Sequence, residues 1–183
     1  VNLNSLSGEV GVSHTTLAGW LDILEASFIV FRVQPYFANI GKRLVKTPKI
    51  YFTETGLAAC LLGLKTAEQV SRDPLRGNLF ENLVVSDLLK QSLNRDDESE
   101  LFFFRTSDGI EADVLRKTGK GLQPIEIKSA MTWTESLADG LRRTRKLMPD
   151  AIDPTLLYCG NTYPAAPGEI ARTNFLDARI GVD

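Results

Sequence analysis

Three residues in the second half of the chain have the types and spacing that phosphodiester hydrolysis requires. Asp113 is followed by Glu126 and Lys128 in the pattern D-x(12)-E-x-K. Two carboxylates supply oxygen ligands for a hard divalent cation, and such a cation generates hydroxide and offsets charge on the phosphate. A nearby ammonium group stabilises developing negative charge or positions the attacking water. The pattern predicts a catalytic set that uses Mg²⁺ or Mn²⁺, and a salt-bridged strand surface is the alternative interpretation.

The segments around these residues are predicted to bring them together. A three-stranded meander is predicted by three apolar runs separated by glycine-containing turns, residues 101–105, 110–115 and 122–128. Successive side chains of a strand point to opposite faces. We therefore expect Ala112 and Val114 to pack inward and Asp113 to lie on the other face. Glu126 and Lys128 are expected to share that face on the next strand.

A further acid, Glu81, lies on a long helix predicted before the meander, over residues 78–93. At about 100° per residue, Glu81 projects into the apolar sector of that helix. A buried carboxylate is costly unless it is paired, hydrogen-bonded or metal-bound, so Glu81 is a candidate third metal ligand. The alternative is that Glu81 benefits from the dipole of the first helical turns. Both interpretations stay open.

The first part of the sequence predicts a helix, a tight turn, a second helix and a pair of strands. Ser13 is the expected N-cap of the second helix. This order is typical of a winged helix-turn-helix, in which the second helix reads a major groove and the wing contacts phosphates. The second helix suits base reading badly, because it has no Lys or Arg between Ser13 and Glu25 and carries Asp22. A protein-contact role is the alternative.

The loop between the two predicted strands is basic. No acidic residue occurs from Gln34 to Tyr51, and four cations are candidate phosphate contacts: Lys42, Arg43, Lys46 and Lys49. Four neutralised phosphates predict a log–log salt slope of about −3.6 for DNA binding. A solvated charged loop without a ligand is the other interpretation.

Composition limits the other classes of function. The net charge is −2, so no global basic field attracts nucleic acid or membrane. One histidine and two cysteines exclude a zinc cluster of His and Cys ligands and a disulfide-stapled fold, which favours a cytoplasmic protein. No apolar run approaches membrane-spanning length, so no membrane partner is expected. The polar stretch 65–74 predicts a boundary between two domains, 1–64 and 65–183.

Several segments together resemble a known family. The motifs GNLFENLVVSDLL, FFRTSDGIEADVL and PIEIKS, at 77–89, 103–115 and 124–129, resemble the C-terminal region of prokaryotic AAA-type P-loop ATPases. The early segments 9–36 and 41–63 resemble the same proteins. The resemblance implies a mixed α/β fold, with a winged helix-turn-helix followed by a restriction-endonuclease-like αβββαβ core of the PD-(D/E)xK type. Ala112 stands where the motif name has proline.

The resemblance also implies site residues and partners. Asp113, Glu126 and Lys128 match the family's catalytic positions, with Glu81 as a possible further acid. The chain contains no G-x-x-x-x-G-K-[ST] motif, so ATP is expected only through a domain absent from this sequence. Because the sequence opens at Val1 without methionine, we expect an ATPase domain upstream. The expected function is that of a DNA-associated, nuclease-like region of an AAA-type ATPase, and a non-catalytic DNA- or protein-binding regulatory module is the alternative.

Overall fold

The computed structural model describes residues 3–37, 43–94, 100–166 and 169–180. Within these ranges the helices and strands follow one another as α1 (Leu3–Val10), α2 (His14–Ala26), β1 (Val30–Pro35), β2 (Lys49–Phe52), α3 (Thr55–Leu61), α4 (Ala67–Arg72), α5 (Arg76–Asn94), β3 (Glu100–Arg105), β4 (Glu111–Thr118), β5 (Gly121–Lys128), α6 (Asp139–Leu147), β6 (Thr155–Tyr158), β7 (Ala171–Asn174) and α7 (Phe175–Ile180). A 3₁₀ turn, Glu135–Ala138, leads into α6.

The strands form one mixed sheet with the order β2-β1-β3-β4-β5-β6-β7. β1 and β2 are an antiparallel hairpin, and β3, β4 and β5 are the antiparallel meander expected from the sequence. The pairs β1–β3, β5–β6 and β6–β7 are parallel. The mixed α/β class is confirmed, whereas the winged-helix and nuclease-like assignments stay predictions.

The β1–β2 hairpin belongs to the same sheet as the meander. β1 lies between β2 and β3, with Gln34 opposite Phe102 and Pro35 opposite Phe103. The N–H of Tyr36 then donates to the Phe103 carbonyl at 2.8 Å. The sheet therefore runs across the segment 65–74, and the division into domains 1–64 and 65–183 stays a prediction.

A β-bulge in β4 changes which side chains share a face. Phe102 pairs with Leu115 and Phe104 with Ala112, so three steps along β4 match two along β3. Such an extra residue reverses the alternation of faces. Ala112 consequently packs with Phe104 and Leu115, while Val114 packs in a different cluster. The expectation that Ala112 and Val114 share one inward face was wrong, because strict alternation fails at a bulge.

Helices bury both faces of the sheet. The α5 side chains Val84, Val85 and Leu88 pack with Val114 of β4 on one side. Leu141 of α6 packs with Leu156 of β6 in another cluster. Because helices cover both faces near the middle of the sheet, the polar residues Asp113 of β4 and Glu126 of β5 are buried. In the described ranges, no helix is both long and apolar enough to cross a membrane.

Asn82 of α5 attaches the edge strand β2 to the helix. Its Oδ1 accepts a hydrogen bond from the Phe52 N–H at 2.7 Å, and its Nδ2 donates to the Phe52 carbonyl at 2.9 Å. Nδ2 also donates to Thr55 Oγ1 at 2.9 Å. One buried amide therefore satisfies both backbone groups of Phe52.

We expect Asn82→Ala to lower the free energy of unfolding by about 2–3 kcal/mol, because it removes three hydrogen bonds made by a buried amide and leaves the partly buried backbone groups of Phe52 without these partners. Urea denaturation followed by circular dichroism measures this loss. Asn94→Ala, at the exposed last position of the same helix, is the matched control and should change stability by less than about 0.5 kcal/mol. Equal effects of the two substitutions would contradict this role of Asn82.

Candidate functional site

The candidate site lies where the β4–β5 ladder ends. The two strands pair from Thr118 opposite Gly121 to Val114 opposite Ile125. At the next step a side chain replaces the backbone: the N–H of Ile127 donates to Asp113 Oδ2 at 2.8 Å. Asp113 therefore holds β5 in place at the point where the strands' own pairing stops.

Lys128 joins the two predicted carboxylates. Its Nζ lies 2.5 Å from Glu126 Oε1 and 3.9 Å from Asp113 Oδ2. Asp113, Glu126 and Lys128, which the sequence places on two strands, therefore form one group, here called the β4–β5 site. The chemical types and the spacing of this group are those of two oxygen ligands and a charge-stabilising ammonium.

Both carboxylates of the β4–β5 site are buried, each residue being 7% exposed. Burial raises the pKa of Asp113 to about 6, and the charge of Glu81 adds to the rise. Burial likewise raises the pKa of Glu126 to about 7, helped by the charge of Asp113. Close carboxylates in low dielectric disfavour simultaneous ionisation. The site therefore holds protons more tightly than exposed acids do.

Glu126 retains an oxygen without a hydrogen-bond partner among the described residues. Its Oε2 is buried, and it faces Gly140 of α6. A Cβ built on Gly140 would stand 3.0 Å from that oxygen. The absence of a side chain at position 140 thus leaves room for the Glu126 carboxylate against α6.

A second lysine, Lys49, contacts three carboxylates next to the β4–β5 site. Lys49 Nζ lies 3.0 Å from Glu81 Oε1, 2.8 Å from Glu111 Oε1 and 3.8 Å from Asp113 Oδ1. The hydroxyl of Tyr51 donates to the same oxygen of Glu81 at 2.6 Å. Lys49, Tyr51, Glu81 and Glu111 are called the Lys49 cluster below, and Asp113 connects it to the β4–β5 site.

The charge of Lys49 is secured by its neighbours. Burial lowers the pKa of Lys49, but the charges of Glu81, Asp113 and Glu111 outweigh burial and hold the pKa above its ordinary value. The structure thus places this lysine, which the sequence assigned to a phosphate-contacting loop, at the start of β2 among carboxylates. Glu81, the candidate third metal ligand, is partnered by Lys49 and Tyr51.

Sequence reasoning missed the roles of Lys49, Tyr51 and Glu111. The alternation of Lys49 and Tyr51 along β2 was a signal that they share a face. It did not reveal which acids they meet, because the β1–β3 pairing that brings β2 into this sheet leaves no mark on residue spacing. The sequence shows Glu111 two residues before Asp113, but it does not show that Lys49 contacts Glu111.

An open cleft of about 590 Å³ extends from the Lys49 cluster along β2, α3 and α5. Its charged end contains Glu81, Glu111 and Asp113, and its other walls are mostly apolar, including Leu61, Leu62, Leu75 and Leu79. The two cations lining it, Lys49 and Arg105, both contact Glu111. The cleft gives a ligand of roughly nucleotide size access to the acidic side of the site.

The other predicted phosphate contacts lie on the loop before β2. Lys42 falls outside the described residues, and Arg43 and Lys46 are exposed. The Arg43 carbonyl accepts a hydrogen bond from the Ser107 N–H at 2.8 Å, so the loop lies against the turn between β3 and β4. Arg43 and Lys46 also line a cavity with Phe37 and Leu44.

The donor set fits a metal ion in part. In the ranges that the structure describes, no group of three or more His, Cys, Asp or Glu side chains is placed to hold one ion. Asp113 and Glu126 remain as a pair joined by Lys128, and the unpartnered buried oxygen of Glu126 is of the type that Mg²⁺ prefers. A cation here would therefore take two protein carboxylates and complete its shell with water or backbone oxygen.

We expect Glu126→Gln to flatten the pH dependence of stability. The folded-state pKa of Glu126 is raised to about 7, so its contribution to stability is present at low pH and is lost as the pH rises through about 7. Glutamine stays neutral throughout. The difference in unfolding free energy between pH 5 and pH 8 should shrink by roughly 1–3 kcal/mol.

Urea titrations at several pH values measure this difference. Glu100→Gln removes an exposed acid, paired only with Lys117 among the contacts described, and should leave the profile unchanged. An unaltered profile for Glu126→Gln would contradict the inferred burial of charge.

Two families of unknown function match the chain. The domain of unknown function DUF8612 matches residues 1–68, and the domain of unknown function DUF4143 matches residues 76–173. The β4–β5 site lies within the second match, as do Glu81 and Glu111, whereas Lys49 and Tyr51 lie within the first. The residues that surround Lys49 therefore come from both matched segments.

Curated relatives come from mycobacteria. The uncharacterized proteins Mb2031c of Mycobacterium bovis and Rv2008c of Mycobacterium tuberculosis are each 32% identical to this chain over 137 residues, which is 75% of the chain. The chain spans only 30% of the length of these relatives. No solved structure matches it significantly. Because the match to residues 76–173 covers more than half of the sequence, this chain belongs to the DUF4143 family.

Proposed function

We propose that this chain is a DNA-associated, nuclease-like region of an AAA-type ATPase and that it hydrolyses phosphodiester bonds with Mg²⁺ or Mn²⁺. The observation that supports this most is the meeting of Asp113, Glu126 and Lys128 where the β4–β5 ladder ends. Two buried carboxylates and an ammonium at the end of the β4–β5 ladder are the metal ligands and the charge-stabilising group that this reaction uses.

Asp113 and Glu126 would hold the metal ion. When bound, the ion would supply a hydroxide at neutral pH and offset charge on the phosphate. Occupation by a divalent cation would also favour the ionised forms of both acids, whose pKa values burial raises. The hydrogen bond from Ile127 N–H to Asp113 Oδ2 would keep that carboxylate oriented toward the site.

Lys128 would serve the reacting phosphate. Its Nζ is held 2.5 Å from Glu126 Oε1, with Asp113 Oδ2 at 3.9 Å, and its side chain is more exposed than either acid. An ammonium that is held by a carboxylate and is also partly exposed to solvent can orient a water molecule or stabilise the charge that develops on the phosphate. The cleft reaches the site at Asp113, and a substrate that enters it would extend past Asp113 to meet Lys128.

We expect cleavage of DNA by the wild-type chain in Mg²⁺ or Mn²⁺, and losses on the order of 10²-fold or more for Asp113→Asn and Lys128→Gln. Labelled single-stranded DNA, duplex DNA and RNA are incubated with each protein, with and without EDTA. Asp150→Asn and Lys117→Gln make the same chemical changes at exposed positions and should retain activity. A wild-type preparation that cleaves none of these substrates in either metal would refute the catalytic proposal.

The link to an ATPase rests on the resemblance of the sequence motifs and on the family. DUF4143 domains are commonly associated with AAA ATPases. The mycobacterial relatives are long enough to contain further domains, since this chain spans 30% of their length. We propose that ATP acts through such a domain and that this domain is a partner within the same protein.

DNA would be held by the loop before β2. Arg43 and Lys46 are exposed, and Lys42 is their sequence neighbour, whereas Lys49 is engaged by three carboxylates. Three phosphate contacts rather than four give an expected log–log salt slope of about −2.7.

Fluorescence anisotropy with labelled duplex DNA over a range of salt concentrations measures this slope. Changing Arg43 and Lys46 together to Gln should reduce its magnitude by about 1.8, because two phosphate contacts are lost. Lys90→Gln, on an exposed side chain of α5 paired with Glu54, should leave the slope unaltered. The loop is not the DNA contact if the double substitution leaves it unaltered as well.

The second candidate function is a non-catalytic DNA- or protein-binding regulatory module. It is favoured by the extent to which the acids are already compensated: Lys49 and Lys128 contact all four carboxylates of the region. Asp22 and Glu25 of α2 are likewise paired with Arg32. Salt-dependent DNA binding with no turnover in either metal would select this function over the first.

A further inference from the structure

We infer that Lys49 is a built-in cation that fills a second cation position of the site, so that the native chain binds no metal ion among Glu81, Glu111 and Asp113. This inference rests on the proposed function in one respect, since it limits the proposed metal site to the Asp113–Glu126 side. Its physical basis, however, is the contacts of Lys49 alone. The lysine acts on the acids and not on the reacting atoms, which makes it a positioning residue.

The distances around Lys49 are those of an ammonium and not of a metal. The three carboxylate oxygens stand 2.8, 3.0 and 3.8 Å from one nitrogen. Hydrogen bonds from an ammonium span about 2.7–2.9 Å, whereas oxygen ligands approach Mg²⁺ to about 2.0–2.1 Å. The acids are therefore spread around Nζ at a radius that is too wide for the metal. This agrees with the lack of a metal-holding group of three among the described residues.

The position of Lys49 is set by the backbone pairing of β2. Lys49 is the first residue of β2, where it pairs with Val33 of β1, and Asn82 fixes the other end of the strand through Phe52. Its side chain is 19% exposed, and Nζ also lies 5.6 Å from the centre of the Phe103 ring. An ammonium above a ring face gains further stabilisation. Lys49 is thus enclosed on its apolar side and neutralised on its acidic side.

Removing the Lys49 ammonium takes one counter-ion from the acids. Glu111 would keep its contact with Arg105 and Asp113 its contact with Lys128, whereas Glu81 would keep only the Tyr51 hydroxyl, so the charged end of the cleft would have one positive charge fewer for the same three acids. A small divalent cation from solution can enter through the cleft and replace the lost charge. To ligate it, the Glu81 and Glu111 oxygens would move inward by about 1 Å and the Asp113 oxygen by roughly 2 Å. The substitution of Lys49 should therefore create a metal site that the native chain lacks.

The test counts bound Mn²⁺ per chain by equilibrium dialysis and electron paramagnetic resonance. Lys49→Gln should bind one Mn²⁺ more than the wild type, and Mn²⁺ should raise its melting temperature more than that of the wild type. Lys90→Gln removes an exposed ammonium from a lone acid, Glu54, and should not change the count. Glu111→Gln in the wild-type background should leave the count unchanged as well.

Two results would overturn the inference. One is an unchanged Mn²⁺ count for folded Lys49→Gln; the other is a wild-type count that falls by one in Glu111→Gln, since that would place an ion in the cluster already. If Lys49→Gln does not fold, the double variant Lys49→Gln/Glu111→Gln, which has one negative charge fewer in the cluster, takes its place. The inference then requires this double variant to bind one Mn²⁺ more than Glu111→Gln, and no gain refutes it.

The outcome is independent of whether the chain cleaves DNA. A wild type that binds no metal and has no nuclease activity would refute the proposed function, yet an extra ion in Lys49→Gln would still support the inference. Conversely, an active wild type with no gain of metal on substitution of Lys49 would retain the proposed function and discard the inference.

Discussion

The central constraint on this structure is the meeting of four carboxylates at one corner of the sheet, two of them buried and two half-buried. Glu81, Glu111, Asp113 and Glu126 are linked into one chain of contacts through two lysines. Uncompensated charge in such surroundings is costly, because removing a carboxylate from water costs several kcal/mol. The fold compensates with Lys128 from the meander itself and Lys49 from the hairpin. The hairpin is therefore more than an extension of the sheet, since without β2 the four acids would have only Lys128 and the more distant contact of Arg105 with Glu111 among the described residues.

The sequence predicted that the residues of the β4–β5 site lie on adjacent strands. Asp113, Glu126 and Lys128 lie on adjacent strands of a meander, and meanders follow from local turns and apolar runs. The bulge in β4 was not predictable, because Ala112, Asp113 and Val114 carry no signal that one residue is extra. The helical projection of Glu81 left two interpretations open. The lysine that offsets its charge, Lys49, lies 32 residues away in the chain, so local spacing could not identify it.

Long-range pairing accounts for most of what the sequence did not reveal. The class of the fold and the meander depend on neighbouring segments, whereas the position of β1 between β2 and β3 depends on a parallel pairing between residues about 68 positions apart, Gln34 with Phe102. Residue spacing carries no record of such a contact. The assignment of Lys49 to the basic loop failed to anticipate its surroundings for this reason: the local run of cations looked uniform, and only the sheet order separates Lys49 from Arg43 and Lys46.

The short pairing between β1 and β3 affects which strand edges could be exposed. Among the described residues, two register pairs join β1 to β3, with the Tyr36 N–H bonded to the Phe103 carbonyl just beyond them; one of the pairs includes Pro35, which has no N–H to donate. If the segment that contains β1 dissociated from β3, β3 would become an open edge with Phe102 and Phe103 along it, and β1 would become another. Open edges of this kind recruit strands from other molecules. Keeping both matched segments in one polypeptide raises the effective concentration of β1 beside β3 and so favours this pairing over pairing with another molecule.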